Sequence, residues 1–442
     1  MIFDQRKFLT QSGALVVGGN ILCDVISPRE SAAFQAHVFS GLMPVGTPIL
    51  VWIDLVGGND TLNTIVPHSV PSVSGLYFQE RPSLGIHDVV TARPYGAPPA
   101  GNYLPPALDL DGHFGLNGYL PWLANRWFSR GDVAIVQGVG ESVAKERSHF
   151  AAMAYRAAGA FSGPNLSSGW LGRYNDLKQP LASVSLTGVS QSLLGNATPV
   201  LSVSDVTGFD WQIASNAPGR RVDLSDIAGM ESESVSASPP IELNNVAAAK
   251  RALRSTSEAI TALTSVSQPP LNTNTQRGTL AFQLIQAAMM ILSGTPSQTY
   301  VATLGGFDTH GGQGYYHATQ LAAVDAALQH FFALIDASPR ANDVFVVLST
   351  EFGRQVKENA GVGTDHGRAS SAIVLGGGVR GGMYGQMPSL TVRDLDALIP
   401  TVDYRALYAT VLNRLSYDPN ITATVLGKDE SNDDFEDLGF LD

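Results

Sequence analysis

Apolar runs that each stop at a turn rich in glycine or acids are the feature that most narrows what this chain can become. PILVWIDLVGG at 48–58, DVAIVQGVG at 132–140, TYVATLGG at 299–306, DVFVVLST at 343–350 and SAIVLGGGV at 371–379 carry few polar residues. A strand covered on both faces needs such a run, whereas a strand with one wet face alternates polar and apolar positions. Helical spacing appears between these runs, in LPWLANRWFSRG at 120–131, HATQLAAVDAALQHFFALIDA at 317–337 and DYRALYATVLNRL at 403–415. Strand, helix and strand in alternation predict a three-layer α/β/α sandwich with a mostly parallel central sheet and right-handed crossovers.

In an open α/β sheet the site lies in the turns beyond the carboxyl ends of the strands. Three of those turns carry acid or imidazole groups: GFDTHGGQ at 306–313, STEFGR at 349–354 and GTDHG at 363–367. Asp308, His310, Glu351, Asp365 and His366 are thereby expected in one metal-bearing crevice, and Asp54, at the end of the first run, is the first candidate ligand from that strand. Asp54 and Asp308 could equally accept backbone N–H bonds in tight glycine turns. Arg354 and Arg368 either hold an anionic ester or pair with nearby acids. In ERSHFAAMAYRAAGA, Ser148 precedes an alanine-rich helical run and is expected as its N-cap or first-turn residue.

Composition removes several classes. The net charge is −12 and only 15% of residues are charged, so there is no basic surface for nucleic acid. Cys23 is the single cysteine, which excludes an intrachain disulfide and any thiolate-rich metal site. A metal must then be held by carboxylate, imidazole, hydroxyl or amide, with zinc, manganese, magnesium and calcium all open. No transmembrane segment is expected, and the oligomeric state is not legible.

The first 45 residues read as a leader. Arg6 and Lys7 precede Phe8 and Leu9, and a short apolar run, GALVVGGNILC, follows at 13–23. That order suits bacterial export and is too short to span a bilayer. QRKFL is twin-arginine-like, with Gln5 where the first arginine belongs; periplasmic or exported is the expectation, and cytoplasmic the alternative. The domain proper is expected over 46–442. Residues 68–118 show no sustained period and read as a long surface excursion, and 163–243, with short alternating pieces such as PLASVSLTG and PVLSVSD, as a loop-rich insertion of loops and small strands over one face that selects substrate. Helices are expected at 244–266 and 277–294, and 371–379 as the last sheet element.

The ordered set WIDLVGGND, RSHF, GWLGR, GFDTHGGQ, STEFGR, N-x-G-x-GTDHG and VLGGGVRGGMYG resembles a bacterial domain-of-unknown-function family. Its members are exported, sulfatase-like proteins grouped with the alkaline phosphatase superfamily, and the resemblance covers roughly 48–415. It implies an alkaline-phosphatase-like fold and a metal-dependent hydrolase of phosphate or sulfate esters acting on a small anionic substrate. It further implies that Asp54, Asp308, His310, Glu351 and His366 hold divalent metal, with Asp365 either a further ligand or an acceptor for an imidazole, that Ser148 or a water activated by the metal attacks, and that Arg354, Arg368, His149 and Asn59 face the substrate. The sequence departs from the superfamily pattern where Phe352 follows Glu351 in place of an Asp-His pair, and in the tight Asp-x-His spacing at 308–310. His149, Asn59 and Asn359 are candidates to replace a missing ligand. The alternative is a non-catalytic member that keeps the fold as a binding or assembly module.

Overall fold

The computed structural model describes residues 15–17, 43–98, 101–141, 145–178, 183–196, 200–203, 279–295, 297–418, 420–428 and 435–442. Ten strands form the central sheet: β1 (Leu15–Val17), β2 (Ile49–Leu55), β3 (Val133–Gly140), β4 (Ser183–Ser185), β5 (Val200–Val203), β6 (Thr299–Leu304), β7 (Val344–Ser349), β8 (Ser370–Gly376), β9 (Gly382–Gly385) and β10 (Val402–Asp403). Their order is β1-β5-β4-β6-β2-β7-β8-β3-β9, with β10 also on β3. Among the described strands of this sheet, β8 alone runs antiparallel to its neighbours.

Alternate residues of β2 feed two separate cores, which is what a sheet buried on both faces requires. Ile49, Val51, Ile53 and Leu55 pack with one core. That layer contains helices α1 (Pro121–Arg130), α4 (Leu280–Leu292) and α5 (Gln313–Ile335). Leu50 and Trp52 enter the other, with α3 (Trp170–Lys178) and α6 (Tyr404–Ser416). Between these two helices the Trp52 ring meets Trp170 and Tyr408 edge-on at 5.5 and 5.3 Å. Helix α2 (His149–Ala158) follows β3 and sends Arg156 toward the same side.

Helix ends follow local chemistry. Thr279 caps α4 by accepting from the Phe282 N–H at 3.2 Å, and Asp403 caps α6 through the Arg405 N–H at 2.8 Å. α1 starts at a proline and stops at Gly131 with φ 65°, a left-handed conformation that glycine adopts without Cβ strain. Its first N–H groups, on Trp122 and Leu123, donate to the Asp325 carboxylate of α5 at 3.0 and 2.9 Å.

Three expectations need correction. The described part of 163–243 is no simple overlay, because β4 and β5 extend the central sheet and α3 buries Trp170, Leu171 and Tyr174. Short serine-rich strands lack the apolar contrast that would have marked them as core. Residues 371–379 are not the last sheet element, since β9 and β10 come later and pair with β3. The excursion at 68–118 contains a helix, Ser74–Glu80, and most of a small four-stranded sheet. The helix expected at 244–266 lies outside the described residues. Among them, α5 is the one helix long and apolar enough to cross a membrane, and its Leu321, Val324, Leu328, Phe331 and Phe332 are core residues here.

Candidate metal centre

Strand direction explains why distant turns converge. β6, β2, β7 and β3 are mutually parallel, so the loops after them share one edge of the sheet. β8 runs the other way, which brings the turn before it, with Asp365 and His366, to that same edge. Asp308 and His310 follow β6, Glu351 follows β7, and His149 opens α2 beyond β3. Gly57, with φ 119°, lets the turn after β2 press against this group; a Cβ there would stand 2.3 Å from the Asp308 nitrogen. Its N–H donates to Glu351 Oε1 at 2.8 Å.

Three imidazoles surround Asp308, each gripped in the same manner. His149 donates from Nδ1 to Glu351 Oε1 at 2.7 Å, His310 from Nδ1 to Asp365 Oδ1 at 2.9 Å, and His366 from Nδ1 to the Arg147 carbonyl at 2.9 Å. An N–H spent on an oxygen at Nδ1 leaves the Nε2 lone pair free, and all three Nε2 atoms point at the Asp308 carboxylate. Those of His310 and His366 lie 3.0 Å from Oδ1 and that of His149 lies 3.5 Å from Oδ2. The two Nε2 atoms of His310 and His366 are themselves 3.0 Å apart. His149 Nε2 is buried without a hydrogen-bond partner among the described residues.

Lone pairs facing lone pairs repel unless something positive lies between them. Ligand atoms from His149, Asp308 and His366 lie within 4.8 Å of one another, a span that small side-chain shifts would close around a single cation, whose ligands at Zn–N and Zn–O lengths of about 2.0–2.2 Å stand at most ~4.4 Å apart. Imidazoles whose second nitrogen is tied to a carboxylate or carbonyl are the usual form of metal-ligating histidine. The residues therefore fit a divalent cation. Burial raises the Asp308 carboxyl, but the hydrogen bond and positive charge of Arg354 oppose it, and the carboxyl is brought down to about 2. Bonds from His310 and Asn359 hold Asp365 below the usual carboxylate range. Both acids are anionic at neutral pH.

Several residues do other work than the sequence suggested. Glu351, expected as a ligand, accepts from His149, and Asp365, expected as a ligand or as an acceptor for an imidazole, accepts from His310. His149, expected against substrate or in place of a missing ligand, aims into the cluster. Asp54 accepts from Trp52 Nε1 at 2.7 Å on the face opposite Ile53 and Leu55; burial, with Glu351 nearby, pushes it up to about 6. It makes no hydrogen bond to the three histidines. Arg354 is buried and spent on the carbonyls of Gly57, Gly58, Phe307 and Thr364 as well as on Asp308, so it cannot clasp an ester. Arg368 is likewise buried, donating to Asp394 and the Glu141 carbonyl. Asn59 turns inward, where its Oδ1 meets His317 Nε2 at 2.8 Å and the Thr64 hydroxyl at 3.0 Å. Phe352, which follows Glu351, lies against His149 and His366 at ring distances of 4.8 and 4.9 Å.

Ser148 is the N-cap of α2, with φ −85° and ψ 125°, and its side chain makes no capping bond. It is exposed and one residue from a cluster histidine. Sequence reasoning missed the supporting polar groups Asp60, Arg81, Thr309, Gln313 and Thr364. Asp60 in WIDLVGGND, Thr309 and Gln313 in GFDTHGGQ and Thr364 in GTDHG all stand in the quoted motifs, and the signal was that such polar side chains, once buried, must find partners.

What fold and site define is an α/β/α protein with a histidine-aspartate cluster at the carboxyl edge of a mostly parallel sheet. Residues 142–437 match the family described as "Protein of unknown function (DUF1501)", and the chain belongs to that family. No curated protein matches it. Among solved structures, the lipoteichoic acid synthase LtaP from Listeria monocytogenes is similar at 10% identity and TM-score 0.33, over 93% of this chain and 81% of that one. BT1596, a 2-O GAG sulfatase, gives 10% identity and TM-score 0.25, over 75% of this chain and 65% of its own. A variant of the alkaline phosphatase PafA gives 15% and 0.24, over 73% and 65%.

Proposed function

We propose that this chain is a metal-dependent hydrolase of phosphate or sulfate esters. The observation that carries the reading is the common grip on three imidazoles, each tied at Nδ1 and aimed through Nε2 at one carboxylate. His149, Asp308 and His366 would hold the ion, with His310 Nε2 beside Asp308 and His366, and an imidazole-rich set favours zinc or manganese over magnesium or calcium. A bound divalent ion neutralises the oxygens of an anionic ester and its leaving group. Glu351, Asp365 and the Arg147 carbonyl keep the rings from turning, and Phe352 excludes water from one side of them. Ser148 is the nucleophile in this reading, supported by an exposed hydroxyl free of any capping bond at a helix N-terminus, where N–H groups favour an anion. An exported setting belongs to the same proposal, on the basic start and short apolar run of the N-terminus.

The test pairs elemental analysis of protein purified without chelator with turnover of an aryl phosphate and an aryl sulfate. Bound divalent metal and chelator-sensitive release of one ester are expected, and Ser148→Ala should lose turnover by orders of magnitude while keeping its metal. Metal-free protein that binds no added ion would instead favour a binding module, the reading to which Phe352 in a ligand's place lends weight.

A further inference from the structure

Asp308 and His310 lie on one loop and Asp365 and His366 on another, and a cluster built across two loops works only if their separation is fixed. A 1 Å error between them would take a ligand out of reach. Thr309 sits between the first pair and Thr364 just before the second. Both threonine hydroxyls donate to the same atom, Gln313 Oε1, at 3.0 and 2.6 Å. The Thr364 N–H also donates to the Thr309 carbonyl at 3.1 Å.

The amide has only one workable orientation. Gln313 Nε2 donates to Asp60 Oδ2, and an ionised carboxylate can only accept, so the carbonyl end must face the hydroxyls. Asp60 is itself clamped by Arg81, whose Nη1 and Nη2 reach its two oxygens at 2.5 and 2.9 Å. Arg81 also donates to the Gln355 and Val356 carbonyls at 2.9 and 2.8 Å, on the segment that leads into the second loop. All of these side chains are buried. The chain Arg81–Asp60–Gln313 thus runs from the scaffold to the point where both ligand loops meet.

We infer that Gln313 is the positioning residue of the cluster, its amide oxygen joining the two ligand-bearing loops while Asp60 and Arg81 hold it in register. The inference rests on the reading of the cluster as a metal centre. Glutamate at 313 would turn a carboxylate on Asp60, and alanine would leave two buried hydroxyls unpaired.

The experiment measures zinc affinity by calorimetry on the full chain, together with hydrogen exchange of the Thr364 amide in the metal-free protein. Gln313→Ala and Thr364→Val should each weaken zinc binding by about 10- to 100-fold and speed that exchange at least ~10-fold, with an unchanged circular dichroism spectrum. Thr364→Ser, which keeps the hydroxyl, should retain wild-type affinity. A lowered thermal midpoint with zinc affinity unaltered would reduce Gln313 to a structural residue and overturn the inference. A wild type that binds no zinc would sink the metal reading, and the exchange result would then decide on its own whether Gln313 ties the loops.

Discussion

Two carboxylate-arginine pairs differ in what they leave over. Asp60 gives both oxygens to Arg81 and accepts from Gln313 as well, entirely out of water. Asp308 gives Oδ1 to Arg354 and remains half-exposed, with three imidazole nitrogens turned toward it. The histidines divide in the same way. His317 is buried against Asn59 and Thr64 and satisfied, while His149 keeps an unpartnered Nε2. A saturated polar network fixes shape, and an unsaturated one is open to a ligand.

The contrast breaks most sharply at the open cluster. Asp308→Asn or His366→Ala should cut metal-dependent aryl ester turnover by about 10³-fold or more, since the ion supplies several kcal/mol and ~1.4 kcal/mol is tenfold. The metal-free protein should melt almost as before. Turnover at the wild-type rate would place the chemistry elsewhere.

The sealed network should respond in stability. Arg81→Met strands Asp60 in the interior and is expected to cost about 3–5 kcal/mol in urea unfolding. A cost below ~1 kcal/mol would mean that the network is not the scaffold described.

His317 offers a test by pH. Burial brings it down to about 4 from an ordinary 6.5, so its contribution to stability is whole above 6.5 and drains away as pH falls through 4. The full swing is on the order of 3 kcal/mol. His317→Gln should flatten this acid limb, and a wild-type curve no steeper than the variant's between pH 7 and pH 4 would contradict the assignment.

Asp54 should give the smallest effect, with the opposite sign. Burial raises it to about 6 from 3.8, so its favourable contribution exists below 3.8 and is lost as pH rises through 6. Asp54→Asn, which can still accept from Trp52, should therefore be more stable than wild type at pH 8 by roughly 1–2 kcal/mol, the linkage value discounted for partial exposure. The gap should close below pH 4. Equal stability of the two proteins at pH 8 would show that Asp54 carries no such strain.

Long apolar runs made β2, β3, β6, β7 and β8 visible, because burial on both faces forces that composition. The strongly periodic helices at 121–130 and 404–416 were visible for the same reason. The alternating pieces PLASVSLTG and PVLSVSD marked β4 and β5 as small strands, but their place in the central sheet was hidden and β10 was not visible, since a strand of two to four residues takes its place from its neighbours in the sheet. The direction of β8 was equally hidden, as an apolar run reads the same in a parallel or an antiparallel ladder.

For the site, the sequence by itself determined which turns bear acids and imidazoles and that those turns end buried strands. That is local chemistry, written residue by residue. Only the tertiary structure decided what each group does: Glu351 and Asp365 orient histidines, Arg354 and Arg368 are spent on carbonyls and acids, Asn59 faces inward, and His149 joins Asp308. A side chain's role depends on which lone pairs and donors remain after its neighbours are served, and those neighbours lie up to some 300 positions away, as the Gly57–Glu351 bond does at a separation of 294.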